Sequence, residues 1–231
     1  VNATFNSIDM SGVNSYKDGV INKLHKGLQG LVKSRNITYI EGHGKLVGKD
    51  TVEVNGAKYT GKNIVLATGS YAKTLPGLDI DGKRVMTSEH AIKMDYVPKS
   101  VIVLGGGVIG CEFASVWKSF GAEVTIIEGL PHLVALEDES SSKQLERAYR
   151  KRGINFELGV RFKSHTVTAD GVTVTLEDGK TFTAEVLLVA VGRGPVSANL
   201  GYEEQGITMD RGYILVDNKC RTNVPGIWAV G

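Results

Sequence analysis

From Ser15 to Asn36 the apolar residues Val20, Ile21, Leu24, Leu28, Leu31 and Val32 recur at helical spacing, with Lys and Arg gathered toward the C-terminal end. That pattern predicts an amphipathic helix whose last turn is matched to the helix dipole. Short β-like runs follow, ITYIEG, GKLVG, TVEV, AKYT and NIVLATGS, separated by Gly, Asp-Thr and Asn-Gly breaks. Asn55-Gly56 is the strongest hairpin signal among them. Between Tyr71 and Ser100 the pairs Pro76-Gly77 and Asp81-Gly82, with Pro98, interrupt any long element and leave one short helical segment near Ser88 to Met94.

The rhythm then changes. VIVLGG reads as a buried strand, VIGCEFASVWKSF as a helix stopped by Gly121, and EVTIIE as a second strand. DESSSKQLERAYRKR reads as a second helix stopped by Gly153, and INFE as a third strand, so the order is β-α-β-α-β. From Val160 to Thr183 a meander is expected, with VTVTL and KTFTA joined across Asp178-Gly179, before the fully apolar strand VLLVAVG closes the α/β unit near Gly192. Loops and the short strands YILV and GIWAV complete the chain, and no repeat of fixed period is visible. The fold class is α/β.

Composition narrows the function. With 27 Lys+Arg against 25 Asp+Glu, the formal charge of +2 lacks the basic field of a dedicated nucleic-acid binder. The 231 residues allow one or two cores at about 100–200 residues per domain. No apolar stretch approaches the roughly 20 residues of a membrane span, and VNATFNSIDM lacks the basic and apolar regions of a leader. These features lead us to expect a cytoplasmic chain. Cys111 and Cys220, 220 − 111 = 109 positions apart, fit neither a metal site nor a disulfide framework. The absent Met and the uncovered apolar run GIWAVG at the end suggest a piece of something longer.

Gly105, Gly106, Gly107, Val108, Ile109 and Gly110 form a G-x-G-x-x-G that directly follows a strand and opens a helix. Gly105 permits the tight turn, Gly107 lets backbone approach a diphosphate, and Gly110 lets helix and strand pack closely. The diphosphate then meets the N–H groups and positive dipole end of the helix. Glu128 ends the second strand, 128 − 107 = 21 positions past the central Gly, close to the roughly 20 expected for a carboxylate that binds an adenosine ribose. A carboxylate there repels a 2′-phosphate, and Gly129 to Leu133 carries no Lys or Arg, so NAD(H) is favoured over NADP(H). Cys111 lies in the first helical turn, where packing is the ordinary role and a dipole-activated thiol the alternative. Glu112 has two readings, contact with a nicotinamide carboxamide or interaction with the helix N-terminus.

The ordered set ATGS (Ala67 to Ser70), GGGVIGCE (Gly105 to Glu112), VGRGP (Val191 to Pro195) and GIWAVG (Gly226 to Gly231) resembles the pyridine nucleotide-disulfide oxidoreductases, and among them the dihydrolipoamide dehydrogenases. The resemblance covers essentially the whole chain. It implies a Rossmann-like NAD-binding domain at 99–193, inserted through a connection at 73–98 into a discontinuous FAD-binding domain made of 1–72 and 194–231. It further implies that Gly105 to Gly110 hold the NAD diphosphate, that Glu112 lies by the nicotinamide, that Glu128 binds the ribose, and that Val160 and Gly192 line the same cleft. For FAD it implies Gly44 beside the adenine and Thr68, Gly69 and Ser70 close to the cofactor. His43 is then a wall residue, and His25, His90, His132 and His165 receive no role.

The chain also departs from that family. The first G-x-G-x-x-G for FAD, the Cys-x-x-x-x-Cys redox pair and the C-terminal domain with its His-Glu pair are absent from the 231 residues. No catalytic residue and no metal ligand is therefore assigned. The resemblance implies an enzyme that oxidises dihydrolipoamide through a disulfide and FAD and reduces NAD, works as a homodimer and serves a 2-oxoacid dehydrogenase complex. This chain alone is expected to be inactive and to hold FAD weakly or not at all. A related glutathione-, mercury- or oxygen-reducing enzyme, or a non-catalytic NAD-binding module, is the alternative reading.

Overall fold

A computed structural model describes residues 7–231, so the first six residues of the expected 1–72 segment lie outside the described residues. The first helix, α1 (Met10–Ser34), begins five residues earlier than its apolar periodicity predicts. Asp9 explains the early start: its carbonyl accepts the Val13 N–H and its carboxylate the Ser11 N–H, both at 3.0 Å. The expected apolar face exists but no residue of α1 is buried, and Leu24 is 69% exposed.

Strands β1 (Gly44–Gly48), β2 (Thr51–Val54) and β3 (Ala57–Thr60) form an antiparallel sheet. Asn55 and Gly56 supply the two positive φ angles, 54° and 81°, that a tight hairpin between β2 and β3 requires. ITYIEG is not a strand, contrary to the sequence expectation. Its alternating side chains meet no sheet, with Ile37 and Tyr39 exposed, and the Glu41 carbonyl is taken by the Asn55 side-chain amide rather than by a ladder. NIVLATGS divides into β4 (Ile64–Leu66) and β5 (Ser70–Ala72), separated at Gly69, whose φ is +74°.

Then come β6 (Val85–Met86), the short α2 (Ser88–Ala91), β7 (Ser100–Leu104), α3 (Val108–Phe120), β8 (Glu123–Glu128), α4 (Glu139–Lys151) and β9 (Asn155–Leu158). The meander β10 (Phe162–Val167), β11 (Val172–Leu176) and β12 (Thr181–Ala184) leads into β13 (Val186–Val189). The chain finishes with β14 (Arg193–Pro195), β15 (Met209–Asp210), β16 (Tyr213–Ile214) and β17 (Ile227–Ala229), so YILV and GIWAV yield shorter strands than their patterns predict.

Two compact units emerge. One contains residues 7–21 and Ala72–Gly192, the other Asn22–Tyr71 and Arg193–Gly231. The first is built on a parallel sheet in the order β6-β13-β7-β8-β9. Its central strands are apolar on both faces because both faces are covered. Val101 and Val103 point into a cluster with Ala114 and Trp117 of α3 and Tyr149 of α4. Ile102 and Leu104 point the other way, against Val172, Val174 and Leu176 of the meander. The α3 helix stops at Gly121, held in the left-handed conformation at φ 101°. In the second unit β17 runs parallel to β4, and Leu46, Ile64, Tyr202, Ile207 and Ile227 share its core.

Candidate functional site

The C-terminal edge of the parallel sheet is where β7 and β8 release their chains, and in open α/β sheets ligands bind beyond such edges. The turn after β7 is held at Gly105, Gly106 and Gly110. The Gly105 N–H donates to the Ile127 carbonyl at 2.8 Å, and φ at Gly105 is +108°. A Cβ on Gly105 would overlap the Ala190 carbonyl, which requires glycine there. Gly106 is clamped from both sides. Its N–H donates to Glu128 Oε2 at 2.5 Å, while its carbonyl accepts the Val134 N–H at 2.8 Å and the Cys111 thiol at 3.3 Å. Gly110 faces the turn so closely that a Cβ would overlap the Gly105 carbonyl.

Gly107 is different. It is the N-cap of α3, and a Cβ there would meet nothing within 4 Å. It therefore presents open backbone at the positive end of a thirteen-residue helix, beside first-turn N–H groups that have no acceptor within the helix. Glu128 is half-buried, and its second oxygen, Oε1, accepts the Leu130 N–H at 2.7 Å.

These pieces line one cleft of about 650 Å³, within the usual size range of small-molecule sites. Gly105, Gly107, Val108, Ile109, Glu128, Val160 and Gly192, all singled out in the sequence, line it together. Gly106 and Gly110 lie beneath as its scaffold. The described residues thus suit a dinucleotide: an open glycine at a helix start, a carboxylate at the next strand end, and apolar walls.

Glu112 is not in this cleft. It is exposed and lines a separate apolar groove with Met10, Val13, Phe113 and Trp117. Cys111 is buried, and desolvation pushes its thiol up to about 11, with the Glu128 carboxylate adding to the shift. Burial therefore outweighs the helix dipole, and the thiol is protonated at neutral pH.

Sequence patterns miss the opposite wall: Val134 to Glu137, Arg161, Phe162 and Glu177. The loop carrying Val134 is held by Glu146, buried in α4, whose Oε1 accepts the Leu133 N–H and meets His132 Nδ1, both at 3.2 Å. The spacing of Glu146 in an amphipathic helix gave no signal of that role.

The flavin candidates fall in the second unit. Thr68 and Gly69 line a cavity of about 270 Å³, and neither Gly44 nor Ser70 is part of its lining. The Thr68 hydroxyl donates to the Val196 carbonyl at 2.5 Å, and the Arg193 guanidinium donates to Ser70 Oγ at 2.7 Å. These side chains are engaged with the protein itself, and the cavity is below the usual 300–1,000 Å³ of a cofactor site. The described residues alone do not fit a flavin dinucleotide. No cluster suited to a metal ion and no helix long and apolar enough to cross a membrane occurs among the described residues.

The chain is 41% identical to a dihydrolipoyl dehydrogenase of Cupriavidus necator over 97% of its own length and 49% of that relative's. It is 36% identical to a leghemoglobin reductase of Vigna unguiculata, over 97% of this chain and 45% of that one. The crystal structure of LpdA from Mycobacterium tuberculosis superposes with a TM-score of 0.89 at 28% identity, covering 98% of this chain and 52% of that one. An HOCl-induced flavoprotein disulfide reductase of Escherichia coli, RclA, gives 0.83 at 30% identity over 94% and 51%. The chain spans about half the length of the curated relatives it matches. With a family model matching residues 3–231, over the same glycine turn and sheet edge that form the cleft, the chain belongs to the pyridine nucleotide-disulphide oxidoreductase family.

Proposed function

We propose that the chain is the NAD(H)-binding part of a dihydrolipoamide dehydrogenase. The observation that carries this reading is the convergence of the open Gly107 backbone and the Glu128 carboxylate in one cleft. The identity to curated dihydrolipoyl dehydrogenases supports the choice within the family. Residues 99–193 are the NAD-binding domain, with 1–72 and 194–231 contributing to a FAD-binding domain across the connection at 73–98.

In this reading Gly105 to Gly110 bind the diphosphate, Glu128 accepts the ribose hydroxyls, and Val160 and Gly192 line the walls. Glu112 is assigned to the nicotinamide side on the family resemblance, since here it faces the adjoining groove. The nicotinamide supplies hydride chemistry when bound. This chain's share is to bind, to orient, and to exclude a 2′-phosphate by charge. Gly44 and Thr68 to Ser70 approach FAD in the complete enzyme, and these residues alone hold it weakly. The 231 residues contain no Cys-x-x-x-x-Cys pair, so by themselves they oxidise no dihydrolipoamide. The complete enzyme is a homodimer that serves a 2-oxoacid dehydrogenase complex. Two unpaired cysteines suit a reducing compartment, for which we take the cytoplasm.

Calorimetric titration of NADH tests the assignment. Glu128→Ala removes a charged acceptor whose hydrogen bonds are worth about 1.5–3 kcal/mol, so NADH affinity should fall roughly tenfold to a hundredfold. Equal affinity of the wild type and the variant would refute the placement of the ribose.

A further inference from the structure

Arg161 has no part in the sequence motif. It stands 161 − 128 = 33 positions beyond Glu128, in the link between β9 and β10, yet it lines the same cleft. The other charged lining residues are Glu128, Glu137 and Glu177, so Arg161 is the one cation among the described lining residues. Its guanidinium enters no hydrogen bond or ion pair among the described residues, in contrast to Lys180 and Arg84, which pair with Glu157 and Glu185. Its side chain is solvent-exposed, while its backbone is fixed. The Val160 N–H donates to the Glu128 carbonyl at 3.1 Å, and the Glu177 N–H to the Arg161 carbonyl at 3.0 Å.

The order of strands decides which end of a dinucleotide Arg161 serves. β7, with its glycine turn, lies on one side of β8, and β9 lies on the other. A ligand whose diphosphate sits over the β7 turn and whose ribose sits at Glu128 therefore extends its adenosine end toward Val160 and Arg161. Guanidinium groups bind phosphate through two parallel N–H bonds. At the adenosine end, the only phosphate that distinguishes one pyridine dinucleotide from the other is the 2′-phosphate.

We infer that Arg161 is a latent 2′-phosphate site, and that preference for NAD(H) over NADP(H) rests on the Glu128 carboxylate standing before it. This deepens the NAD-cleft reading and rests on it. The absence of Lys and Arg from Gly129 to Leu133 is then not the reason NADP is refused. The fold supplies a cation from the link between β9 and β10, and one carboxylate suppresses its use.

The test is titration of NADH and NADPH into the full chain as wild type, Glu128→Gln, Arg161→Ala, and Glu128→Gln combined with Arg161→Ala or Arg161→Lys. Gln neutralises the charge and keeps one acceptor oxygen, which serves either the Gly106 or the Leu130 N–H but not both. Arg161 is exposed, so its replacement should leave folding intact, which circular dichroism checks. Glu128→Gln should tighten NADPH binding tenfold or more, and adding Arg161→Ala should cancel that gain. Arg161→Lys should keep part of it. The gain should also shrink between low and physiological salt, as expected of an exposed pair. NADPH affinity that stays high in Glu128→Gln/Arg161→Ala, or that fails to rise in Glu128→Gln, overturns the inference while NADH binding still stands. A wild-type chain that binds neither nucleotide refutes the cleft reading itself, and the inference with it.

Discussion

The two glycines at the ends of the Gly107 to Gly110 turn should respond in opposite ways to one added methyl group. At Gly110 a Cβ would overlap the Gly105 carbonyl and approach Val103 Cγ1 at 3.1 Å, so backbone and a β-branched core side chain would both have to yield. Overpacking of this kind costs about 1–3 kcal/mol, while alanine gains about 1 kcal/mol over glycine inside a helix. Because the overlapped atom is backbone, the upper end of that cost applies, and the net loss is about 2 kcal/mol, or a fall in melting temperature of about 4–8 °C for a chain of this size. At Gly107 nothing lies within 4 Å and φ is −71°, so alanine fits, with a capping loss below about 1 kcal/mol. Its methyl group instead stands in the cleft, where the proposed NAD(H) reading brings backbone up to the diphosphate, and on that reading NADH affinity should fall tenfold or more. Differential scanning fluorimetry and NADH titration on both variants separate the effects. A Gly110→Ala protein that melts with the wild type, or a Gly107→Ala protein that binds NADH normally, would contradict the assigned roles.

At pH 7.5 iodoacetamide should label exposed Cys220 and leave buried Cys111 untouched until the chain is denatured, as peptide mass spectrometry would show. Because the Cys111 thiol is raised to about 11 in the fold, its contribution to stability is complete below its ordinary value near 9 and is lost as pH rises toward 11. Fast labelling of native Cys111 would refute its burial. Glu146→Ala should cost about 1–3 kcal/mol, since it leaves the Leu133 N–H, in a fully buried residue, without its acceptor. Urea unfolding indistinguishable from the wild type would remove Glu146 from that role.

What could be read directly from the sequence was local. VIVL and VLLV are apolar throughout because both faces are covered, EVTIIE buries Val124, Ile126 and Ile127 between polar ends, and Gly121 and Asn55-Gly56 end elements by backbone conformation alone. The glycine turn and Glu128 were legible for the same reason, since each sits where its own strand stops. ITYIEG misled because alternation marks a strand only if a neighbouring sheet exists to receive it. The helix at Met10–Ser34 has the expected periodicity, but periodicity does not show whether the apolar side is covered. The second wall of the cleft comes from residues up to 72 positions from Gly105, counted as 177 − 105, and no spacing rule reaches that far. Glu146 was hidden by its company: among charged helical neighbours, one buried carboxylate looks like the rest.

The position of β13 has a consequence for how the protein is made. β7 pairs with β8 across a single helix, but its other edge waits for Val186–Val189, which follow the entire meander. During synthesis β9 is complete at Leu158, and about thirty further residues must be added before β13 exists, roughly 2–6 s at 5–20 residues per second. For that interval a strand apolar on both faces has an open ladder edge, the arrangement that invites pairing with another chain. The nascent protein is therefore most vulnerable to association while the meander is emerging, and the late arrival of VLLV ends that exposure by filling the sheet from within.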